Sequence, residues 1–168
     1  RWSEDFNDRN PAPYLFPALN HNADELSCAI GIASLSRLPA TILARQLFVI
    51  KVAELLAKHS RVCRGYPLPP TASPFFYPVL VDTGAISCSK IEFAEAVRAE
   101  GIDLNPHYKF TVCDWPFIKP YLADDFDTPN ARDICNRSFN LYLNENYTET
   151  EANDVVEAIC KVEAYYAR

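Results

Sequence analysis

Three polar side chains that could hold an anion stand directly before the longest apolar helical pattern in the chain. They are Asn20, His21 and Asn22, and apolar residues recur at three- to five-residue steps from Leu26 onward. The first turn of a helix carries unpaired amide protons and the positive end of the helix dipole, so a phosphate would be stabilised there. Asn22 with Glu25 also fits a capping box, which satisfies the backbone donors without any ligand. The pattern therefore permits an anion site, while capping alone also explains Asn22.

A histidine–tyrosine pair and a group of aromatic residues are the other candidates for ligand contacts. His107 and Tyr108 could face a pocket, although a lone histidine beside a tyrosine is also explained as a partly buried hydrogen-bonding residue. Trp115, Phe117 and Tyr121 could stack on a sugar, but aromatic residues interleaved with proline more often anchor a loop.

The cysteines form no pattern typical of a metal site or a disulfide framework. The chain has six of them: Cys28, Cys63, Cys88, Cys113, Cys135 and Cys160. They are scattered, without a Cys-x-x-Cys pair or a cluster with histidine at zinc spacing, so we expect reduced thiols and no metal. An enzyme that uses a cysteine is a weak alternative, because no cysteine has a histidine partner nearby in the sequence.

Composition and charge narrow the class of protein. The chain has 168 residues, 49% of them hydrophobic, and a net charge of −6. This content can build one core, whereas nucleic acids and anionic membrane surfaces would require a basic face that is absent. No apolar run approaches the roughly 20 residues of a membrane helix, and no signal peptide is recognisable, so we expect a soluble cytoplasmic protein. The chain contains no methionine, which predicts that it is a piece of a longer protein.

The elements that must position the candidate residues begin with a long helical stretch. The pattern predicts a helix that starts at Asn22 and continues toward His59, with a kink or a fresh start at Pro39. Apolar residues occupy so much of its surface that it must be covered on more than one side. Gly31 costs on the order of 1 kcal/mol in a helix, so we expect another element to approach closely there.

Shorter helices and strands follow this long stretch. Capping boxes at Ser89 and Thr148 and a proline at position 129 predict helices over about 90–100, 129–137 and the C-terminal stretch. The predicted strands are Phe75–Asp82, Tyr108–Val112 and Phe139–Leu143, and residues 61–74 are predicted to be a loop. Pro78 would lie near a sheet edge or near the start of the first strand. The fold class is therefore α+β, with long N-terminal helices and a small, mainly antiparallel sheet covered by helices.

The order and spacing of these elements resemble the C-terminal part of the DegT/DnrJ/StrS family, the pyridoxal-phosphate (PLP) sugar aminotransferases of fold type I. In that family a Gly-x-Asn-x-Arg-x-Ser-Glu-Leu-x-Ala-Ala-Ile-Gly segment opens a long helix. The residues in register with it and with the rest of that helix are Asn20, Glu25, Leu26, Ala29, Ile30, Gly31, Leu35 and Leu38. The chain departs from the family at Ala18, Asn22 and Cys113, where glycine, arginine and histidine are usual.

The resemblance implies a division of the chain and a set of contacts. Residues 1–20 would be an irregular lead-in, 21–60 a long kinked interface helix, and 61–168 a small α+β C-terminal domain. Asn20 and Asn22 would bind the cofactor, with Asn20 reaching its phosphate across a dimer interface, and His107 and Tyr108 would line the substrate pocket. The complete enzyme would be a homodimer that uses PLP, a nucleotide-linked keto-sugar and an amino-acid donor.

The catalytic lysine that the resemblance implies is not recognisable in this chain. The family holds it in a large N-terminal domain, in a serine-rich and glycine-flanked setting that none of these residues has: Lys51, Lys58, Lys90, Lys109, Lys119 and Lys161. The chain alone is therefore expected to be inactive, with no catalytic residue of its own. The alternative is a stand-alone, non-catalytic binding or self-association domain derived from the same family. The sequence leaves open whether the parent transaminates or dehydrates its sugar.

Overall fold

The structure is a computed structural model that describes residues 23–108, 110–124 and 126–168. The predicted irregular lead-in, together with Asn20 and Asn22, lies outside these residues, so their predicted roles stay predictions.

The longest element is α1, a helix of 35 residues that runs from Glu25 to His59. Its N-cap is Asp24, whose carboxylate accepts the Ser27 N–H at 2.8 Å. The predicted capping box of Asn22 and Glu25 is therefore wrong, because Asp24 offers an equally short acceptor closer to the first turn. The predicted fresh start at Pro39 is also wrong, since the helix continues through this residue. A proline removes one backbone hydrogen bond, and the flanking turns maintain the helix.

The sheet has four antiparallel strands in the order β1-β2-β4-β3. The strands are β1 (Cys63–Gly65), β2 (Phe76–Val81), β3 (Leu104–Asn105) and β4 (Ser138–Tyr142). Together with the helices, this sheet confirms the predicted α+β class.

Two predictions about the strands are wrong. Strand β1 lies inside the stretch 61–74, which was predicted to be a loop. It can form there because it ends at Gly65, before the first proline of that stretch. The stretch Tyr108–Val112 is not a strand, and β3 precedes it. Thr111 instead caps a 3₁₀ turn over Val112–Asp114, with its N–H donating to Asp114 Oδ2 at 2.8 Å. Such a local side-chain bond competes with a strand ladder.

Pro78 lies on an inner strand rather than near an edge, because β2 pairs with both β1 and β4. The Tyr66 N–H donates to Pro78 O at 3.0 Å, so the backbone polar groups of Pro78 face the β1 side. Strand β1 already ends at Gly65. The N–H that proline lacks would point at Tyr66 O, so the reciprocal bond of this pair is missing and the pairing with β1 ends here.

The shorter helices begin as predicted. Helix α2 spans Lys90–Ala99, α3 spans Pro129–Asn136 and α4 spans Glu149–Tyr166. Both predicted capping boxes are formed, from Ser89 to Glu92 and from Thr148 to Glu151. Gly101 follows α2 with a φ of 97°, a left-handed conformation that glycine readily adopts at the end of a helix.

The core lies between one face of the sheet and helices α1, α2 and α4. Only the C-terminal half of α1 contributes to it, through Phe48, Val49, Val52 and Leu56. Near the end of α1, the buried carboxylate of Glu163 on α4 accepts hydrogen bonds from the Ser60 hydroxyl and, at 2.9 Å, from the Arg61 N–H. These bonds fasten the end of α1 to the rest of the domain.

Candidate functional site

The described residues of the candidate site stand on the segment that follows β3. The His107 N–H donates to Asn105 Oδ1 at 3.1 Å, and the ring of Tyr108 lies 6.4 Å from the ring of Phe76 on β2. The structure therefore fixes both predicted substrate residues beside the sheet. It does not test whether they contact a substrate.

The structure brings His107 to a buried lysine that the sequence reasoning missed. Lys90, the first residue of α2, is only 5% exposed, and its Nζ lies 3.0 Å from His107 Nδ1. The same ammonium donates to Pro106 O at 2.9 Å. Burial lowers the pKa of Lys90 from 10.5 to about 8, against a smaller opposite effect of Cys135 on α3. Lys90 thus combines a desolvated cation with a histidine partner.

A signal for this lysine is present in the sequence. Lys90 shares the spacing of the buried residues Phe93, Ala94 and Val97, at steps of three, four and seven residues. The helical period therefore places Lys90 on the apolar face of α2, where an unpaired ammonium would be costly. This placement indicates that Lys90 has a hydrogen-bonding partner on one of the segments that cover this face.

The segment between β3 and α3 is organised around Arg132. Its guanidinium contacts Asp114 Oδ1 at 2.6 Å and Asp127 Oδ1 at 2.7 Å, which joins the 3₁₀ turn to the residues before α3. The hydrogen bond from Arg132 and a backbone bond from Thr128 lower the pKa of Asp127. The two ion pairs hold the aromatic part of the segment in place.

The aromatic residues of this segment contact one another. The rings of Trp115 and Phe117 are 5.4 Å apart, and Tyr121 is 70% exposed. Contact between Trp115 and Phe117 favours the anchoring of the loop, whereas the exposed Tyr121 retains a face on which a ligand could stack.

Cys113, which stands where the resembling family usually has histidine, lies between two threonines. Its Sγ is 3.4 Å from Thr111 Oγ1 and 3.2 Å from Thr128 Oγ1, and these hydrogen bonds lower the pKa of the thiol. The described contacts of Cys113 include no histidine. Among the residues that the structure describes, no three side chains of the metal-ligating types come together.

Replacement of Arg132 with glutamine is expected to raise the pKa of Asp127 toward its ordinary value. A carboxyl with a lowered pKa contributes stability above its ordinary value near 4, and loses it as the pH falls through the lowered value. The variant should therefore lose this acid-sensitive contribution. A ¹³C NMR titration of the aspartate carboxyls measures the change.

The matched control for this variant is Arg98→Gln, which removes an exposed ion pair with Glu95 on α2. It should leave the titration of Asp127 unchanged. An unaltered midpoint for Asp127 in Arg132→Gln would show that Arg132 does not set its pKa.

Helix α1 presents a broad apolar surface, from Leu26 to Ile50, that the described residues leave exposed. We call this surface the α1 apolar face; it comprises Leu26, Ile30, Ile32, Leu35, Leu38, Leu43, Leu47 and Ile50. Ile32 is 72% and Leu35 65% exposed. A Cβ placed at Gly31 would meet nothing within 4 Å, so the close approach predicted there is not made by the described part of the chain.

Helix α1 is also long and apolar enough to cross a membrane, with a mean hydropathy of 1.5 in an 18-residue window of which 0% is buried. This corrects the expectation that no stretch approaches membrane length, because the charges of α1 are too sparse to interrupt the window. The feature is weak evidence for a membrane, since a helix that packs on another protein surface has the same composition.

The sequence matches the model of the DegT/DnrJ/EryC1/StrS aminotransferase family over residues 4–160. The chain belongs to this family. A search of curated proteins finds no match.

Solved structures with this fold include sugar-modifying enzymes that hold PLP. A putative sugar aminotransferase from Streptococcus pneumoniae in its PLP form has a TM-score of 0.70 at 18% identity, covering 90% of this chain and 38% of that chain. The Helicobacter pylori aminotransferase involved in the biosynthesis of pseudoaminic acid has a TM-score of 0.70 at 17% identity, covering 89% and 40%. The GDP-4-keto-6-deoxy-D-mannose-3-dehydratase of E. coli, with bound hydrated PLP, has a TM-score of 0.68 at 18% identity, covering 95% and 40%.

These likenesses establish the fold, and the chain spans only 38% to 40% of the length of the three structures. Three lysines have contacts within the chain: Lys51 contacts Glu149 at 3.2 Å, Lys161 contacts Glu100 at 2.6 Å, and Lys90 is held by Pro106 and His107.

Proposed function

We propose that this chain is the C-terminal domain of a PLP-dependent aminotransferase that acts on a nucleotide-linked keto-sugar. It completes the active site and the dimer interface, while the domain with the Schiff-base lysine lies outside this chain. The observation that carries the proposal is the uncovered α1 apolar face in a member of an aminotransferase family.

The exposed side chains of α1 support the need for a partner. Eight large apolar residues are exposed along this helix, whereas only four of its residues, Phe48, Val49, Val52 and Leu56, are buried in the core. An apolar surface of this extent is unfavourable in water and marks an interaction site. The partners we propose are the lysine-bearing domain and a second copy of the protein, as a homodimer.

The polar residues before α1 supply the proposed cofactor contact. Asn20 and Asn22 would meet the phosphate of PLP near the N-terminus of α1, where the helix dipole favours an anion. His107 and Tyr108 would line the substrate pocket, with an amino acid as the second substrate. We place the complete enzyme in the cytoplasm as a soluble protein.

Exchange of Asn20 for alanine in the complete enzyme is expected to weaken PLP binding about tenfold or more, because a hydrogen bond to a charged group is lost. The test expresses the complete reading frame that contains this chain. The retention of PLP during dialysis is then measured by absorbance. The matched control is Asn153→Ala, an exposed asparagine whose Nδ2 donates to Glu149 O within α4.

The same preparation tests the missing lysine. Borohydride reduction should attach PLP to a lysine outside this chain, as located by peptide mass spectrometry. Attachment to a lysine of this chain, or a reading frame that encodes no lysine-bearing domain, would refute the proposal.

The alternative is a stand-alone domain that uses the α1 apolar face for self-association without catalysis. It shares the prediction of a dimer but predicts no PLP binding in any context. The PLP measurement on the complete reading frame therefore separates the two proposals.

A further inference from the structure

Lys90 stands where a cation is unfavourable for two separate reasons. It is the first residue of α2, where the positive end of the helix dipole repels an ammonium. It is also only 5% exposed, and no carboxylate pairs with it among the described residues. The hydrogen bonds that its ammonium makes must offset both costs.

Both contacts described for the ammonium lie on the segment after β3. Nζ donates to Pro106 O at 2.9 Å and lies 3.0 Å from His107 Nδ1. The backbone of His107 is held separately, because its N–H donates to Asn105 Oδ1 at 3.1 Å. The main chain and the ring of His107 are thus fixed by different partners.

The direction of the bond to the ring follows from the chemistry of the two groups. An ammonium has three donors and no acceptor, so His107 Nδ1 must accept. A nitrogen that accepts in this way carries no proton, and the ring proton of the neutral imidazole then belongs to Nε2. A doubly protonated ring would direct an N–H at the ammonium and is disfavoured.

We propose that Lys90 is a positioning residue that holds His107 as the neutral tautomer with its proton on Nε2. His107 then presents a hydrogen-bond donor at Nε2, to an oxygen of the chain or, in the proposed pocket, to a hydroxyl or carbonyl oxygen of the sugar. In this state the ring is a donor rather than a general base at Nδ1. The inference about a sugar oxygen rests on the proposed function, whereas the tautomer is a property of the chain itself.

The arrangement makes the tautomer sensitive to pH. Among the described residues, the titratable groups that act on the Lys90 ammonium are His107, on the segment after β3, and Cys135, on α3. Because the pKa of Lys90 is about 8, the amine becomes neutral above this pH, and its nitrogen can then accept a hydrogen bond from a protonated Nδ1. The single tautomer should therefore give way to exchange between two tautomers with a midpoint near pH 8.

The test is ¹⁵N NMR of the full chain labelled at its histidines, which are His21, His59 and His107. Two-bond correlations from the ring carbon protons identify the tautomer, and His107→Gln assigns the signals. At pH 7 we expect His107 to show an acceptor-type Nδ1 and a protonated Nε2. Lys90→Met should abolish this preference, while Lys161→Met, at an exposed lysine that contacts Glu100, should leave it unchanged.

Lys90→Arg provides the second variant, because a guanidinium keeps its donors but does not deprotonate near pH 8. It should retain the Nε2-protonated tautomer and lose the change near pH 8. Circular dichroism reports whether each variant is folded. If Lys90→Met does not fold, the NMR spectra of the wild type and of Lys90→Arg test the tautomer assignment on their own.

A wild-type His107 with its proton on Nδ1, or a mixture of tautomers at pH 7, would overturn the proposal. So would a folded Lys90→Met variant with the wild-type His107 spectrum. The measurement needs neither PLP nor sugar, so its failure would leave the proposed function intact. Failure of the Asn20 experiment would likewise leave the tautomer assignment intact.

Discussion

Replacement of Leu35 with glutamate on the α1 apolar face is expected to weaken self-association of the chain by at least about a hundredfold. Burial of one leucine side chain contributes about 1.5–3 kcal/mol, and a symmetric dimer loses this contribution twice. Each 1.4 kcal/mol corresponds to a tenfold change in the dissociation constant. Sedimentation velocity over a range of protein concentrations measures the shift from dimer to monomer.

The matched control is Ile91→Glu, which introduces the same charge at an exposed apolar residue on α2, away from α1. Its dissociation constant should equal that of the wild type. A wild-type chain that remains monomeric at all concentrations would contradict the prediction, as would a Leu35→Glu variant that dimerises normally. Binding of the wild type to lipid vesicles in place of dimerisation would assign the face to a membrane.

Replacement of Gly65 with alanine is expected to destabilise the domain by about 3 kcal/mol, through overpacking of the core. A Cβ at this position would collide with the hydroxyl of Tyr77 and lie 2.8 Å from its ring carbon Cζ. Tyr77 is only 1% exposed, so a shift of its ring would have to displace the buried residues around it. Urea denaturation measures the loss.

The control is the same exchange at Gly31, where an added Cβ meets nothing within 4 Å. Because Gly31 lies inside α1, alanine there should stabilise the helix by about 0.5–1 kcal/mol. The measurement is made in the monomeric Leu35→Glu background, where no second copy contacts the helix. A Gly65→Ala domain as stable as the wild type would show that the contact with Tyr77 relaxes without cost.

Local sequence signals predicted the helices well. The capping boxes at Ser89 and Thr148 and the proline at position 129 each act within one turn, so neighbouring residues suffice to specify them. The N-cap of α1 was predicted at Asn22, two residues before the observed Asp24, because both side chains offer an oxygen acceptor. The family resemblance depended on the same stretch of α1.

The short strands could not be predicted in the same way. Strand β1 has three residues and β3 has two, which is too short for an alternating pattern. Their stability comes from pairing, of β1 with β2 across the connection 66–75 and of β3 with β4 across the longer connection 106–137. The contact between Lys90 and His107 is non-local too, and only the burial of the α2 face hinted that Lys90 needs a partner.

The carboxylate of Glu163 has a mechanical consequence, because it clamps the chain at the end of α1. The part of α1 before Thr41 is largely exposed and projects from the domain for about 24 Å, at 1.5 Å per residue. A stiff rod of that length acts as a lever: a tilt of about 5° at its base moves the tip by about 2 Å. Small rotations of the sheet domain are therefore magnified at the N-terminal end of α1, which follows Asn20 and Asn22 in the sequence.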